Sequence, residues 1–185
     1  MSLTYTPEAA LGSSLPEFDL PTVDGKTLSS RDLKGKKAVA VLFICNHCPY
    51  VKAVEDRIIA LAHKFTSKGV ALVGICSNDP ADYPEDAPAE LKKRWQEKNY
   101  GFPYLIDESQ EVARAFGAIC TPDIFVYDQN QRLAYRGRID DSWRNPTLVK
   151  RRELEDALDA LSSGRTVSVE QNPSMGCSIK WKKGD

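Results

Sequence analysis

An apolar stretch that ends abruptly in a pair of cysteines constrains this chain more than any other feature. Residues 38–44 are all apolar, a run too short to cross a bilayer but suited to a strand buried on both faces of a sheet. The motif Cys45-Asn46-His47-Cys48 follows it directly. Pro49 then opens a segment whose apolar residues recur at steps of three and four, which predicts an amphipathic helix. The sequence thus predicts two thiols where a buried strand meets a helix N-terminus.

This position favours an ionised thiol. Unpaired N–H groups and the positive end of the helix dipole stabilise an anion at a helix N-terminus. The first thiol of a Cys-x-x-Cys in such a setting can have its pKa lowered to roughly 3.5–7.5, from about 8.5 for a free cysteine. The spacing also lets the second thiol return to attack a mixed disulfide formed at the first. We therefore predict Cys45 as the attacking thiol and Cys48 as the more buried resolving thiol, with Pro49 as a modulating neighbour.

A zinc site is the main alternative use of these two thiols. Structural zinc takes four Cys or His ligands, often as two paired clusters. The chain has a single Cys-x-x-Cys and two histidines, and His63 falls in the middle of the predicted helix, where a surface or packing role is expected. We therefore predict no metal and no organic cofactor, because the cysteines themselves carry the electrons.

Two further stretches place the motif in a family context. Thr121-Pro122 precedes another apolar strand, and residues 15–28 contain Leu-Pro-Glu-Phe-Asp-Leu followed by Asp-Gly-Lys-Thr-Leu. With the strand, Cys-x-x-Cys and helix, they resemble the thioredoxin-like superfamily. The match is to its redoxin (AhpC/TSA) branch, which contains peroxiredoxins and TlpA-like thiol–disulfide oxidoreductases. The resemblance covers about residues 15–163 and implies an α/β fold. It also implies a mixed central sheet flanked by helices, with an N-terminal β-hairpin extension.

The resemblance also implies roles around the thiols. A histidine between the cysteines is similar to the Cys-x-His-Cys of protein disulfide isomerases. As an imidazolium, His47 would stabilise the Cys45 thiolate and make the disulfide more oxidising. The redox potential would then lie between roughly −270 mV, as in thioredoxin, and about −180 mV, as in the isomerases. Thr121-Pro122 resembles the cis-proline loop that faces the motif, which implies that the Thr121 backbone pairs with an extended substrate segment.

Three more cysteines lie outside the motif. Cys76 ends a predicted buried strand and is expected to be a packed core residue. Cys120 precedes the Thr-Pro pair and is either a third redox thiol near Cys45 or an inert packed residue. Cys177 lies in the tail, residues 164–185, whose apolar side chains favour docking on the domain. A docked Cys177 is either an additional resolving thiol, as C-terminal cysteines are in some peroxiredoxins, or a packing residue.

The chain reads as one domain, residues 15–163, after a loosely ordered lead-in at residues 1–14. A last helix is predicted over residues 146–163. Residues 78–88 carry three prolines and four acids, so they cannot form regular structure. We predict a solvated connection there, with a partner-selecting rim beside the thiols as the alternative.

One expected group is missing. Thioredoxin has a buried acid on the strand before its motif, which helps to deprotonate the resolving thiol, whereas residues 38–44 contain no acid. Glu55 and Asp56, on the helix, are the nearest candidates, but charged helix residues are usually solvated. We therefore assign no general base.

Two activities compete. The first is thiol–disulfide exchange; the second is peroxide reduction. The peroxiredoxin pattern Pro-x-x-x-Thr-x-x-Cys, placed with its cysteine on Cys48, finds Val41 where proline belongs and Cys45 where threonine belongs. The hydroxyl that would orient peroxide is therefore absent, and exchange is favoured. A third class is a metal-handling or redox-inactive binding module that uses Cys45, His47 and Cys48, with or without Cys120.

Composition limits the partners and the location. The formal net charge is −1, which gives no reason to expect nucleic acid or an anionic membrane. We expect disulfide- or thiol-bearing proteins or small molecules as substrates, and a reducing partner such as the thioredoxin or glutathione system. Five cysteines with no disulfide framework, and no basic-then-apolar leader, favour a reducing cytoplasm. A periplasmic location is the alternative if a leader has been removed.

Overall fold

The apolar run forms the middle strand of a five-stranded mixed sheet in the computed structural model, which describes residues 3–184. In spatial order the strands are β6 (Tyr104–Ile106), β5 (Val70–Cys76), β4 (Ala38–Phe43), β8 (Asp123–Asp128) and β9 (Leu133–Arg136). β4 pairs in parallel with β5 and antiparallel with β8. All six β4 side chains are buried, as expected for a strand covered on both faces.

Helices cover both faces of this sheet. Those in the described residues are α1 (Pro49–Thr66), α2 (Pro88–Glu97), α3 (Glu111–Phe116) and α4 (Glu153–Ser162). Alternate β4 side chains enter two cores, because successive residues of a strand point to opposite faces. Ala40 and Leu42 lie in the core formed with α1, α2 and α4. Val41 and Phe43 lie in the core formed with α3.

The helix after the cysteines forms as its periodicity predicts. Its apolar residues at steps of three and four, from Val51 to Phe65, are all buried against the sheet. Pro49 occupies the first helical turn, where a missing N–H costs no intrahelical hydrogen bond. Cys48 is the residue that caps this helix, and Cys45 lies two residues beyond the end of β4.

The predicted N-terminal hairpin is also present. β2 (Asp19–Pro21) pairs antiparallel with β3 (Thr27–Ser29), with Leu20 opposite Leu28. The connecting turn contains Gly25 at φ +88°, a left-handed conformation that glycine adopts without strain. The hairpin lies on the α3 side of the sheet, where Leu20 is part of the core.

The predicted last helix is too long at its N-terminal end. Pro146–Leu148 forms a single 3₁₀ turn, and α4 begins only at Glu153. The intervening backbone bonds elsewhere, since the Lys150 N–H donates to the Asp141 side chain and the Asp141 N–H donates to the Arg151 carbonyl. These bonds replace the helical ladder and delay the helix by two turns.

The two ends of the chain meet in a second, three-stranded sheet. β10 (Met175–Ser178) lies between β1 (Leu3–Tyr5) and β7 (Cys120–Thr121), antiparallel to both. The prediction of a loosely ordered lead-in is therefore wrong for Leu3–Tyr5. The tail docks as a strand, although its sequence shows no periodicity that would predict one. No helix within residues 3–184 is long and apolar enough to span a bilayer.

Candidate active site

The two motif thiols lie side by side beneath the Thr121–Pro122 loop, whose peptide bond is cis. Their side chains hydrogen-bond to each other. The Cys45 Sγ lies 3.3 Å from the Thr121 Oγ1, and the Cys48 Sγ lies 3.1 Å from the Thr121 carbonyl oxygen. Cys45 is 2% exposed and Cys48 is 0% exposed. The fold thus brings Cys45, Cys48, Thr121 and Pro122 together, as the sequence predicts.

Of the two thiols, Cys48 has the lowered pKa and Cys45 the raised one. The thiol of Cys45 donates to the Cys48 sulfur, as do the side chain of Thr121 and the backbone N–H groups of Val51 and Cys177. These donors outweigh burial and lower the pKa of Cys48 from its ordinary value of 9.0 to about 5. Burial, the hydrogen bond to Cys48 and the charge of Asp86 raise the pKa of Cys45 well above the ordinary value. The prediction that Cys45 holds the lowered pKa is wrong for this closed, reduced state.

The pKa shift gives a direct test. In the reduced protein, one thiol should ionise with a pKa of about 5. The ultraviolet absorbance of the thiolate, measured as the pH is raised, reports this step. Cys48→Ser should abolish this step. Cys45→Ala should move it to higher pH, because the Cys45 thiol is the strongest donor to the Cys48 sulfur and alanine has no side-chain donor. Cys120→Ser is the matched control and should leave the step in place. A low-pH step that persists in Cys48→Ser would contradict the assignment.

His47 is paired with a buried acid that the sequence analysis did not single out. Its Nδ1 lies 2.5 Å from the Asp86 Oδ2 and 3.6 Å from the Cys45 Sγ. Burial opposes ionisation of Asp86, but the hydrogen bonds from His47 and Asn78 outweigh it and hold the pKa of Asp86 below its ordinary value. The negative charge of Asp86 offsets any positive charge on His47. The expected net stabilisation of a Cys45 thiolate by His47 is therefore not what this geometry provides.

Asp86 also corrects the prediction of a solvated segment at residues 78–88. The residue is 2% exposed, and its carboxylate accepts hydrogen bonds from the backbone N–H groups of Asn46 and His47. The carboxyl ends of adjacent parallel strands meet at one edge of a sheet, so residues after β5 must lie beside those after β4. That rule could have predicted an acid near the motif. The prolines and acids of residues 78–88 instead suggested a solvated connection.

The same segment packs against the two residues between the cysteines. The Asn46 side-chain amide donates to the Glu85 and Glu90 carbonyls, each at 3.0 Å. Tyr83 stacks on the His47 ring with 4.2 Å between centroids. These contacts hold residues 83–90 against the motif, so the alternative of a rim beside the redox site describes this segment better than a solvated connection.

Three buried groups here have the donor types of a metal site. The Cys45 sulfur, a His47 ring nitrogen and an Asp86 oxygen all lie within 4.8 Å of one another. However, the His47 Nδ1 already hydrogen-bonds to Asp86, and its Nε2 is buried with no hydrogen-bond partner among residues 3–184. A metal held by all three would have to replace the His47–Asp86 hydrogen bond. The arrangement fits a hydrogen-bonded pair beside a thiol better than a coordination sphere.

The Thr121 edge that was expected to receive a substrate is occupied by the chain itself. β10 places Cys177 opposite Thr121 and Ser178 opposite Cys120. The approach is so close that a Cβ on Gly176 would lie 2.0 Å from the Thr121 carbonyl oxygen. Only glycine fits there. The Cys177 thiol and its backbone N–H both hydrogen-bond to the Cys48 sulfur, and Cys177 is 1% exposed.

The remaining candidates lie away from the reacting sulfurs. Cys120 is fully buried with its thiol 3.6 Å from the Pro122 carbonyl oxygen, and burial raises its pKa, as it does for the core residue Cys76. Glu55 is buried rather than solvated, but it bonds Arg94 and Tyr100 and not a thiol. The structure therefore favours the packing role for Cys120 and supplies no base from Glu55.

A cavity of about 360 Å³ opens beside this site. It extends from Pro122 and Tyr50 to Trp143 and to Met175 of β10. The Tyr50 and Trp143 rings lie 4.5 Å apart between centroids and form one wall. Neither motif cysteine lines this cavity, so it adjoins the thiols without exposing them.

Comparison with known proteins agrees with this geometry. The AhpC/TSA family is matched over residues 11–136, more than half of the chain. The chain belongs to the AhpC/TSA family. A thiol:disulfide interchange protein DsbE of Pseudomonas fluorescens is 32% identical, over 81% of this chain and 80% of that protein. A chloroplastic peroxiredoxin Q of Gentiana triflora is 29% identical, over 64% of this chain and 54% of that protein.

Solved structures extend the similarity to the ends of the chain. An uncharacterized conserved protein of Geobacillus kaustophilus is 45% identical with a TM-score of 0.94, and the match covers 100% of this chain and 99% of that one. A thiol:disulfide interchange protein of Chlorobium tepidum is 27% identical with a TM-score of 0.58, covering 70% and 87%. These relatives confirm the predicted thioredoxin-like fold and the predicted class, a thiol–disulfide oxidoreductase.

Proposed function

We propose that Cys45 and Cys48 perform thiol–disulfide exchange by cycling between a dithiol and a disulfide. The observation that carries this proposal is the hydrogen-bonded pair of sulfurs at the start of α1, which shares one proton between two thiols. Because the Cys45 thiol, the Thr121 side chain and two backbone N–H groups donate to the Cys48 sulfur and lower its pKa to about 5, the pair is already singly ionised at neutral pH. The buried acid of thioredoxin is not needed to prepare it.

Cys45 is the thiol that meets the substrate. Cys48 is enclosed by Thr121, Cys177 and the first turn of α1, whereas Cys45 lies under the His47 and Thr121 side chains. Movement of His47, together with the stacked Tyr83, uncovers Cys45 without unfolding a strand of the central sheet. Cys45 is therefore proposed as the attacking thiol although Cys48 holds the charge at rest.

The exchange balances with a single proton. As Cys45 attacks a substrate disulfide, its proton passes to Cys48, a new sulfur–sulfur bond joins Cys45 to the substrate, and the first substrate thiolate leaves. That thiolate takes the proton from Cys48. The Cys48 thiolate then attacks the Cys45 sulfur, which forms the intramolecular disulfide and releases the second substrate thiolate. The substrate gains two electrons and the protein loses two.

The substrates proposed are disulfide- or thiol-bearing proteins or small molecules, with the thioredoxin or glutathione system returning the protein to its starting state. Similarity to the thiol:disulfide interchange protein of P. fluorescens supports disulfide-bearing proteins as substrates. The cavity between Tyr50, Trp143 and Met175 supplies apolar surface next to Pro122, against which such a substrate can bind. A reducing cytoplasm remains the proposed location, supported by the odd number of cysteines, with the periplasm as the alternative.

Peroxide reduction is the second candidate, favoured by one observation. The position that aligns with the peroxiredoxin cysteine is Cys48, the thiol whose pKa is lowered to about 5. Against it, Cys48 is 0% exposed, and Cys45 occupies the position of the threonine that orients peroxide. Disulfide exchange remains the primary proposal.

Stopped-flow oxidation of the reduced protein separates the two activities. Rapid mixing with a disulfide-bearing peptide should oxidise the dithiol much faster than mixing with the same concentration of hydrogen peroxide, because peroxide must reach the enclosed Cys48. Intrinsic fluorescence follows the reaction, since Trp143 lies against Tyr50 beside the motif. Cys120→Ser provides the control. A peroxide rate equal to or above the disulfide rate would reverse the ranking.

A further inference from the structure

The C-terminal strand brings a third sulfur to the dithiol. β10 is held on one side by β1 and on the other by β7, so its position does not depend on a single contact. Further bonds secure its flanks: the Ser174 Oγ donates to the Pro122 carbonyl at 2.7 Å, and the Ile179 N–H donates to the Ile119 carbonyl at 3.0 Å. Cys177 is therefore presented to the motif by ordered backbone on both sides.

The positions of the three sulfurs determine which pairs can form a disulfide. Cys45, Cys48 and Cys177 lie in one buried cluster, in which the Cys48 Sγ lies 3.1 Å from the Thr121 carbonyl oxygen and Cys177 is paired directly opposite Thr121. The thiols of Cys45 and Cys177 each hydrogen-bond to the Cys48 sulfur. It is the shared neighbour of the other two. A sulfur in this position can form a disulfide with either partner, and conversion of one disulfide into the other is an ordinary exchange step.

We propose that Cys177 is a third catalytic thiol, which accepts the disulfide from Cys45 by forming a bond to Cys48. This inference deepens the proposed function and rests on it. It assigns β10 a reactive role in addition to its packing role, and it explains why the Thr121 edge is filled by the chain itself. The substrate that occupies this edge in the reduced protein is an internal one.

The step needs no further reactant. In the oxidised protein, the Cys177 sulfur attacks the Cys48 sulfur of the Cys45–Cys48 disulfide. A Cys48–Cys177 bond forms, the Cys45–Cys48 bond breaks, and the proton of Cys177 moves to Cys45. The number of thiols and the number of disulfides are unchanged. Cys45 is thereby freed in an otherwise oxidised protein, where it can engage a second substrate molecule.

The fourth thiol near the site provides the contrast. Cys120 neighbours Cys177 across the β7–β10 pairing, but its thiol faces the Pro122 carbonyl. Cys120 is as buried as Cys177. Unlike Cys177, it makes no hydrogen bond to Cys45 or Cys48 within residues 3–184. Cys120 therefore serves as a matched control for burial without reactivity.

The direct test removes Cys45. Purified Cys45→Ser should form a Cys48–Cys177 disulfide under mild oxidation with diamide. Non-reducing peptide mapping should show the linked peptides and the loss of both thiols to alkylation. The double variant Cys45→Ser/Cys120→Ser should behave identically, whereas Cys45→Ser/Cys177→Ser should keep Cys48 alkylatable. A folded Cys45→Ser protein in which Cys48 and Cys177 stay fully alkylatable overturns the inference.

A second measurement uses the unaltered protein. After oxidation, acid quenching and unfolding, N-ethylmaleimide should label a fraction of Cys45 as well as Cys177, because exchange distributes one disulfide between two pairs. In Cys177→Ser the Cys45 label should disappear. Full label on Cys177 with none on Cys45 or Cys48 in the unaltered protein overturns the inference but leaves a Cys45–Cys48 disulfide. Failure of the proposed function differs, because then no disulfide involving Cys45 forms at all.

Discussion

Replacing Cys48 with serine should trap a stable mixed disulfide between Cys45 and a substrate. Without the resolving thiol, the bond formed at Cys45 has no internal nucleophile to break it, and turnover should fall by several orders of magnitude. The variant should be mixed with an excess of a disulfide-bearing protein, and the trapped complex identified by non-reducing electrophoresis and peptide mapping.

The reciprocal variant is the matched control. Cys45→Ser should lose turnover to a similar extent but trap no substrate, because its remaining Cys48 is enclosed by Thr121 and Cys177. Equal trapping by both variants would show that Cys48 also reaches substrates, and would contradict the assignment of Cys45 as the attacking thiol.

Asp86→Asn should destabilise the protein by about 1–3 kcal/mol, the usual cost of leaving buried hydrogen-bonding groups without their partner. Asp86 accepts hydrogen bonds from His47, from Asn78 and from two backbone N–H groups, and its side chain is entirely buried. An asparagine amide would turn a donor toward His47 or Asn78. Urea unfolding at neutral pH, with both proteins reduced, measures the loss.

The pH dependence of this difference has a definite sign. Because the folded pKa of Asp86 lies below its unfolded value, its contribution is fully present above about pH 4 and is lost as the pH falls through the folded pKa. The stability gap between the two proteins should therefore narrow in acid. Asp82→Asn, an exposed position in the same segment, is the control and should change stability by less than about 0.5 kcal/mol. An equally small effect of Asp86→Asn would refute the buried pair.

Local patterns in the sequence predicted the strand and the helix that position the two motif cysteines. The apolar run of β4, the three-and-four spacing of α1 and the proline at its first turn each depend on neighbouring residues, so the position of Cys45 and Cys48 followed from them. The hairpin of β2 and β3 was predictable for the same reason, because a Gly25 turn and short-range pairing define it.

The chemical environment of the two cysteines depends on residues that are distant from them in the sequence. Asp86 reaches His47 only because β4 and β5 end at the same edge, and Cys177 reaches Cys48 only through strand pairing with Thr121. Neither contact has a periodic signature. The pKa values of the two thiols depend on those donors and charges, which is why the helix N-terminus alone predicted the wrong thiolate.

The sheet that joins both ends of the chain also affects how the molecule is assembled. The pairing of Leu3 with Cys177 spans nearly the whole sequence, so it closes the longest loop in the fold and contributes little until other contacts have formed. Chains are synthesised from the N-terminus, and domains fold as units while they emerge. Cys45, Cys48 and Thr121 are therefore synthesised well before β10. Until β10 pairs with β7, the Thr121 edge has no partner strand and Cys177 does not reach the dithiol, so formation of the three-sulfur cluster is a late step of folding.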